Sequence, residues 1–96
     1  MAHAVLVELS CVSGTGPEYL AAILPMLADT RAFEGCELVE AYSDQDDPDT
    51  VFLWERWASR QNQEAYLAWR IETGTLDDMA RFMAADPRFV HLSAAD

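Results

Sequence analysis

Several stretches of the chain alternate apolar and polar residues, the period of a strand with one buried face. His3 to Cys11 places Val5, Val7, Leu9 and Cys11 on one side and is rich in β-branched residues. Cys36 to Ser43 sets Cys36, Leu38 and Tyr42 against Glu37, Val39 and Ala41. Thr50 to Trp57 is the strongest strand, since Val51-Phe52-Leu53-Trp54 is apolar on both faces. Arg88 to Ser93 forms a last strand after the stop at Asp86-Pro87.

Between these strands the apolar spacing becomes helical. Ser13-Gly14-Thr15-Gly16 reads as a turn, and Pro17 suits the first position of a helix. Leu20, Ile23, Leu24 and Leu27 follow at helical spacing, and Pro25 predicts a kink or a restart because it lacks a backbone donor. Ser59 is placed to cap a second helix that runs to about Thr73 and carries Tyr66, Leu67, Trp69, Arg70 and Ile71. Gly74 breaks that helix. Thr75 with Asp78 three residues on resembles a capping box, and the helix it opens aligns Leu76, Met79, Ala80 and Met83.

The order is β-α-β-β-α-β, the split βαβ arrangement. It predicts an α+β, ferredoxin-like fold whose four-stranded antiparallel sheet is covered by helices on one face. Strands one and three are apolar on both faces, so the uncovered face predicts a homodimer with two sheets packed together. No repeat or linker divides the 96 residues, and residues 1–96 are expected to form a single domain.

Composition narrows the function. Hydrophobic residues at 51% and charged residues at 24% exclude a disordered tail. Seventeen acidic residues oppose six basic ones, all Arg, for a net charge of -11. Such a chain repels polyanions, so neither nucleic acid nor an anionic membrane is an expected partner. Met1-Ala2-His3 offers no signal peptide, and the apolar runs are too short for a membrane span. Cys11 and Cys36 lack CxxC spacing and read as buried thiols of a cytoplasmic protein, with a disulfide or redox pair as the alternative.

Chemistry-bearing residues are few. His3 and His91 are the only histidines, and no HxH, HExxH or Cys-His cluster exists, so no metal is expected. Ser13-Gly14-Thr15-Gly16 lacks both a phosphate-loop lysine and a dinucleotide fingerprint, so no nucleotide cofactor is expected either. The acidic loop Asp44 to Asp49 has no glycine at its turn and no distal bidentate Glu, and reads as a solvated hairpin loop rather than a calcium site. Trp57, Tyr66, Trp69 and Arg70 cluster in strand three and the next helix, with Tyr42 on the strand expected to pair with strand three. Such residues either fill a core or line a cleft that orients a flat ligand. Glu55 shares a strand face with Leu53 and Trp57, which predicts either an Arg partner, the preferred expectation, or a buried acid with a raised pKa.

Glu34-Gly35-Cys36 entering strand two, and Glu55-Arg56-Trp57-Ala58-Ser59 leaving strand three, resemble the antibiotic biosynthesis monooxygenase family of dimeric α+β barrels. The resemblance implies a homodimer with a cleft between sheet and helices in each subunit. Some members oxygenate aromatic polyketides or quinols without metal or flavin, and a related branch degrades haem. Many members place a His where this chain has Trp69, with about three extra residues before it. The haem branch resembles the chain at that Trp but also needs an Asn in strand one and a later helical His. Strand one offers Val7, Glu8, Leu9 and Ser10, the only Asn is Asn62, and no His lies between Glu55 and Phe89, which excludes haem degradation.

The expected function is a cofactor-independent monooxygenase of a small aromatic molecule such as a quinol or anthrone. In it Arg70 stabilises a substrate anion, Trp69 and Tyr66 orient the ring, and Glu55 or His91 takes the proton. Trp57 and Tyr42 complete the expected binding surface. The alternative is a non-catalytic homodimer of the same fold that binds such a molecule.

Overall fold

A computed structural model of the chain describes residues 2–95. Four strands form one antiparallel sheet: β1 (His3–Ser10), β2 (Cys36–Ser43), β3 (Thr50–Trp57) and β4 (Arg88–Leu92), in the order β2-β3-β1-β4. The helical segments are α1 (Gly16–Ile23), a 3-10 turn over Leu24–Met26, α2 (Leu27–Ala32), α3 (Arg60–Glu72), α4 (Thr75–Met79) and a second 3-10 turn over Ala80–Phe82. Hairpin-paired β2 and β3 with β1 inserted beside β3 give the ferredoxin-like α+β arrangement. Among the described residues no helix is long and apolar enough to cross a membrane.

Register decides which side chains meet the helices, because directly opposed residues of an antiparallel pair share a face. Val5 opposes Glu55 on one side and His91 on the other, and Val7 opposes Leu53 and Phe89. Val5, Val7, Leu9, Val51 and Trp57 are buried against the helical layer, joined there by Tyr19, Ile23 and Phe82. Leu6, Phe52, Trp54 and Val90 lie on the opposite, helix-free face. The sheet is therefore apolar on both sides, as expected from the consecutive apolar residues Val5-Leu6-Val7 and Val51-Phe52-Leu53-Trp54.

Three local departures from the periodic pattern have identifiable causes. A bulge between Cys36 and Leu38 shifts the parity of β2. Cys36 opposes Trp57 on the helix side, but Leu38 and Tyr42 fall on the helix-free side, so these three do not share a face. In the first helical region, Pro25 forces a 3-10 turn rather than a bend in one helix. The buried stripe becomes Tyr19, Ile23, Leu27 and Thr30, and Leu24, expected inside, is 50% exposed. At the third helical region, Gly74 adopts φ +79 and itself occupies the N-cap position. Thr75 is already helical, no side chain caps α4, and the expected capping box is absent. Phe82, in the 3-10 turn that follows, carries the burial instead. Ser59 does cap α3 as expected, its Oγ accepting from the Asn62 N–H at 3.1 Å.

The acidic hairpin loop has a structural task at its last residue. Asp49 accepts hydrogen bonds from the Gly14 and Gly16 N–H groups, each at 2.9 Å, and ties the turn after β1 to the β2–β3 hairpin. A side chain at Gly16 would collide with the Pro48 carbonyl, so this close approach needs glycine. The two N–H donors hold the Asp49 carboxyl below its ordinary pKa. Stabilisation from such a group is present above the unfolded pKa and is lost as pH falls through the folded one. Asp49→Asn is accordingly expected to lower the denaturation midpoint at pH 7, with the gap from the parent closing below about pH 4. Equal deficits at pH 7 and pH 3 would show that the carboxylate charge plays no part.

Candidate functional site

Between the sheet and the helical layer lies a cavity of about 450 Å³, within the range that holds small-molecule ligands. Its walls are mainly aliphatic and thioether groups: Val7, Leu9 and Leu53 from the sheet, Leu27 from α2, Met79 from α4, and Met83. Among its polar lining side chains are Glu55 from β3, Thr30 from α2, and Tyr66 and Arg70 from α3, with Thr75 and the exposed carboxylate of Asp86 also on the wall. Tyr66 and Arg70 are four residues apart and so share one helix face. Tyr19 also reaches the wall, and burial pushes its hydroxyl up to about 12, which keeps it neutral.

Arg70 is 6% exposed, yet no carboxylate lies within ion-pairing distance of it among the described residues. The two ion pairs present, Arg56–Glu37 and Arg60–Glu64, are on the surface. Neutral oxygens hold the guanidinium instead. Nε donates to the Tyr66 hydroxyl at 2.8 Å, and Nη2 donates to the Met26 carbonyl at 3.0 Å and the Thr30 hydroxyl at 3.1 Å. Thr30 and Tyr66 are joined at 2.7 Å, closing the network. These acceptors satisfy the donors without cancelling the charge. Nη1 has no hydrogen-bond partner among the described residues and is not sealed, and Arg70 is one of the residues that line the cavity.

Glu55 does not pair with an arginine. It is 4% exposed, and its one side-chain hydrogen bond comes from Trp57 Nε1 to Oε1 at 3.0 Å. Residues two apart on a strand lie on the same face, which is why this donor reaches it and no guanidinium does. Burial raises the Glu55 pKa, and the Trp57 bond only partly offsets that. The expected ion pair is thus replaced by the other alternative, a buried acid. Oε2 has no hydrogen-bond partner among the described residues and, like Nη1, is not sealed.

The remaining candidates sit elsewhere. Trp57 is fully buried; it reaches the site through its bond to Glu55 and by packing on Tyr66, ring centroids 5.0 Å apart, without lining the cavity itself. Trp69 packs against Phe33, ring centroids 5.5 Å apart, and the Arg70 guanidinium lies 4.7 Å from its ring centre; it does not line the cavity. Tyr42 is 52% exposed on the helix-free side, its hydroxyl donating to Glu40 at 2.8 Å. His91 faces the helical side two strands from Glu55, roughly 10 Å away by strand spacing, with Nδ1 2.8 Å from His3 Nε2. Burial is the first cause of its lowered pKa. Thr30 was not singled out by any motif, although its spacing of eleven from Tyr19 places it on the buried stripe. Among the described residues no group of three His, Cys, Asp or Glu is arranged to hold a metal ion.

The family model for antibiotic biosynthesis monooxygenase matches residues 2–83. No curated protein matches the sequence. Among solved structures, one titled as an antibiotic biosynthesis monooxygenase superposes with a TM-score of 0.85 at 18% identity, covering 98% of this chain and 99% of its own. A conserved protein from Methanosarcina mazei Go1 gives 0.83 at 12% identity, covering 96% of this chain and 91% of its own. Rv0793 from Mycobacterium tuberculosis gives 0.76 at 22% identity, covering 100% and 97%. At these identities the structures share the fold.

Two stability measurements check the electrostatics of the cleft. Because the folded state holds the Glu55 proton to higher pH, Glu55 contributes stability below its unfolded pKa and loses it as pH rises through the folded one. Glu55→Gln is expected to unfold later than the parent at pH 8, with the difference vanishing toward about pH 4. Arg70→Met is expected to cost about 1.5–3 kcal/mol, the scale of hydrogen bonds to a charged group, since α3 then loses its tie to Met26 and Thr30. An Arg70→Met variant as stable as the parent would mean that the network carries no load.

Proposed function

Because the chain belongs to the antibiotic biosynthesis monooxygenase family, we propose that it is a cofactor-independent monooxygenase acting on a small aromatic molecule of the quinol, anthrone or polyketide type. The observation that carries this proposal is the pairing of an unneutralised guanidinium with a buried, basic carboxyl in one apolar cavity. Activation of oxygen without a metal or flavin requires a substrate that becomes electron-rich on losing a proton. A cleft for such a substrate needs a base, a fixed positive charge and little water.

For an anthrone-type substrate the steps balance without any added reductant. Ionised Glu55 takes a proton from the ring methylene, and Arg70 Nη1 stabilises the resulting enolate oxygen. The anion gives one electron to dioxygen, and the substrate radical and superoxide combine to form a carbon–oxygen bond. The peroxide takes the proton back from Glu55. The remaining ring C–H proton leaves, the O–O bond breaks and hydroxide departs, so substrate plus dioxygen yields quinone plus water. The raised pKa of Glu55 makes it a stronger base than an ordinary carboxylate, which suits it to accept and return a proton. His91 is not at the cavity wall, which favours Glu55 for this task. Tyr66 lines the cavity and orients the substrate, and Trp69 backs the guanidinium from outside. Trp57 orients the acid, and Tyr42 takes no part at the cleft.

The helix-free face supports assembly as a homodimer. Leu6, Phe52, Trp54 and Val90 form an apolar surface there that water covers in the single chain. Two copies packed through this face bury it and leave both clefts open on the outside. The free thiols of Cys11 and Cys36 support a cytoplasmic location for this single-domain dimer.

Oxygen uptake by the purified protein, offered a panel of anthrones and quinols, is the decisive measurement. Uptake is expected to persist after exhaustive chelation and to fall about 10²–10⁴-fold in Glu55→Gln, the usual worth of a positioned base. Binding of the same molecules without uptake would leave the non-catalytic binding protein as the better account. For the assembly, Trp54→Glu is expected to yield a folded monomer by sedimentation. A parent protein that is already monomeric at micromolar concentration overturns the dimer.

A further inference from the structure

Thr30 is 1% exposed, and its single hydroxyl touches both groups that could fix the charge of the cleft: Arg70 Nη2 at 3.1 Å and the Tyr66 hydroxyl at 2.7 Å. With Tyr66 receiving Nε and the Met26 carbonyl receiving Nη2, the guanidinium is held at two of its three nitrogens. A planar group so held cannot turn about its own axis, which leaves the third nitrogen, Nη1, as the only one free for a ligand. All three holding groups are uncharged, and the two carboxyl side chains that also line the cavity, Glu55 and Asp86, are not ion-paired with Arg70.

We propose that Thr30 is the positioning residue that makes this cleft selective for planar monoanions: by holding the Arg70 guanidinium, it turns an otherwise apolar cavity into a receptor for a flat ring system carrying one sulfonate, carboxylate or phenolate. The proposal rests on the cleft being the ligand site and not on its being an oxygenase. The ligand's charge meets Nη1, and its rings lie against Leu27, Met79 and Met83. An unneutralised buried cation is costly when the cavity is empty or holds a neutral guest, and an anion removes that cost. Loosening the guanidinium should therefore weaken anions and leave neutral ligands alone.

Two dyes with the same rings test this: 8-anilinonaphthalene-1-sulfonate, an anion, and N-phenyl-1-naphthylamine, which lacks the sulfonate. Fluorescence titration gives the ratio of their dissociation constants for the parent, Thr30→Val and Thr30→Ser. Thr30→Val keeps the shape and removes the hydroxyl; the preference for the anion is expected to fall about tenfold, with the neutral dye changed less than twofold. Thr30→Ser is expected to restore the preference. Should Thr30→Val fail to fold, Tyr66→Phe removes the other hydroxyl of the network and is expected to shift the same ratio. Parallel weakening of both dyes, an unchanged ratio, or no rescue by serine overturns the proposal. Dye selectivity is read without turnover, so absence of oxygen uptake alone defeats the oxygenase proposal and leaves this one standing.

Discussion

A buried guanidinium without a carboxylate partner is the constraint on which the rest of the site depends. Burying a charge is expensive unless hydrogen bonds and a counter-charge compensate it, and here only the hydrogen bonds are present. Meeting them fixes the relation of three segments. The Met26 carbonyl lies in the 3-10 turn imposed by Pro25, Thr30 lies on α2, and Tyr66 and Arg70 lie on α3. The cost of the missing counter-charge stays in the cavity, where a ligand can relieve it.

Glu55 carries the complementary cost. Its carboxyl is buried on the strand that forms the centre of the apolar face, with one indole N–H as its side-chain donor. Two groups able to carry opposite charges in one cavity could have neutralised each other as an ion pair. They sit instead on opposite layers, Glu55 on the sheet and Arg70 on α3. Separation leaves a carboxyl and a guanidinium on facing layers of one cavity, with no ion pair between them.

Much of this was legible in the sequence. Alternation in His3 to Ser10 and Thr50 to Trp57 located β1 and β3, because strands with two apolar faces leave a strong pattern. Glu55 stood out as a carboxylate amid apolar residues, and Arg70 as a charge beside aromatics. Less visible were effects that depend on a single backbone irregularity. The bulge after Cys36 reversed the faces of β2 and carried Tyr42 away from the cleft. The 3-10 turn exposed Leu24 and drew Tyr19 and Thr30 inward. Trp69 looked like a cleft residue because adjacency to Arg70 in sequence suggests a shared role, yet neighbours on a helix point about 100° apart. Thr30 left no mark, since one buried hydroxyl has no periodic signature.

Glu55 and Trp57 are two residues apart on one strand, and their hydrogen bond closes within a single turn of the pleat. Acid and donor therefore move as one rigid piece, bolted to the sheet that would also form the dimer core. Arg70 instead rides on the helical layer, tied only to other helical residues. The two charges answer to different frames of reference. A guest that wedges the layers apart lengthens the gap between them without disturbing either one's own hydrogen bonds. Guests of different thickness thus meet the same acid and the same cation at different spans, like a caliper whose jaws stay parallel while the opening changes.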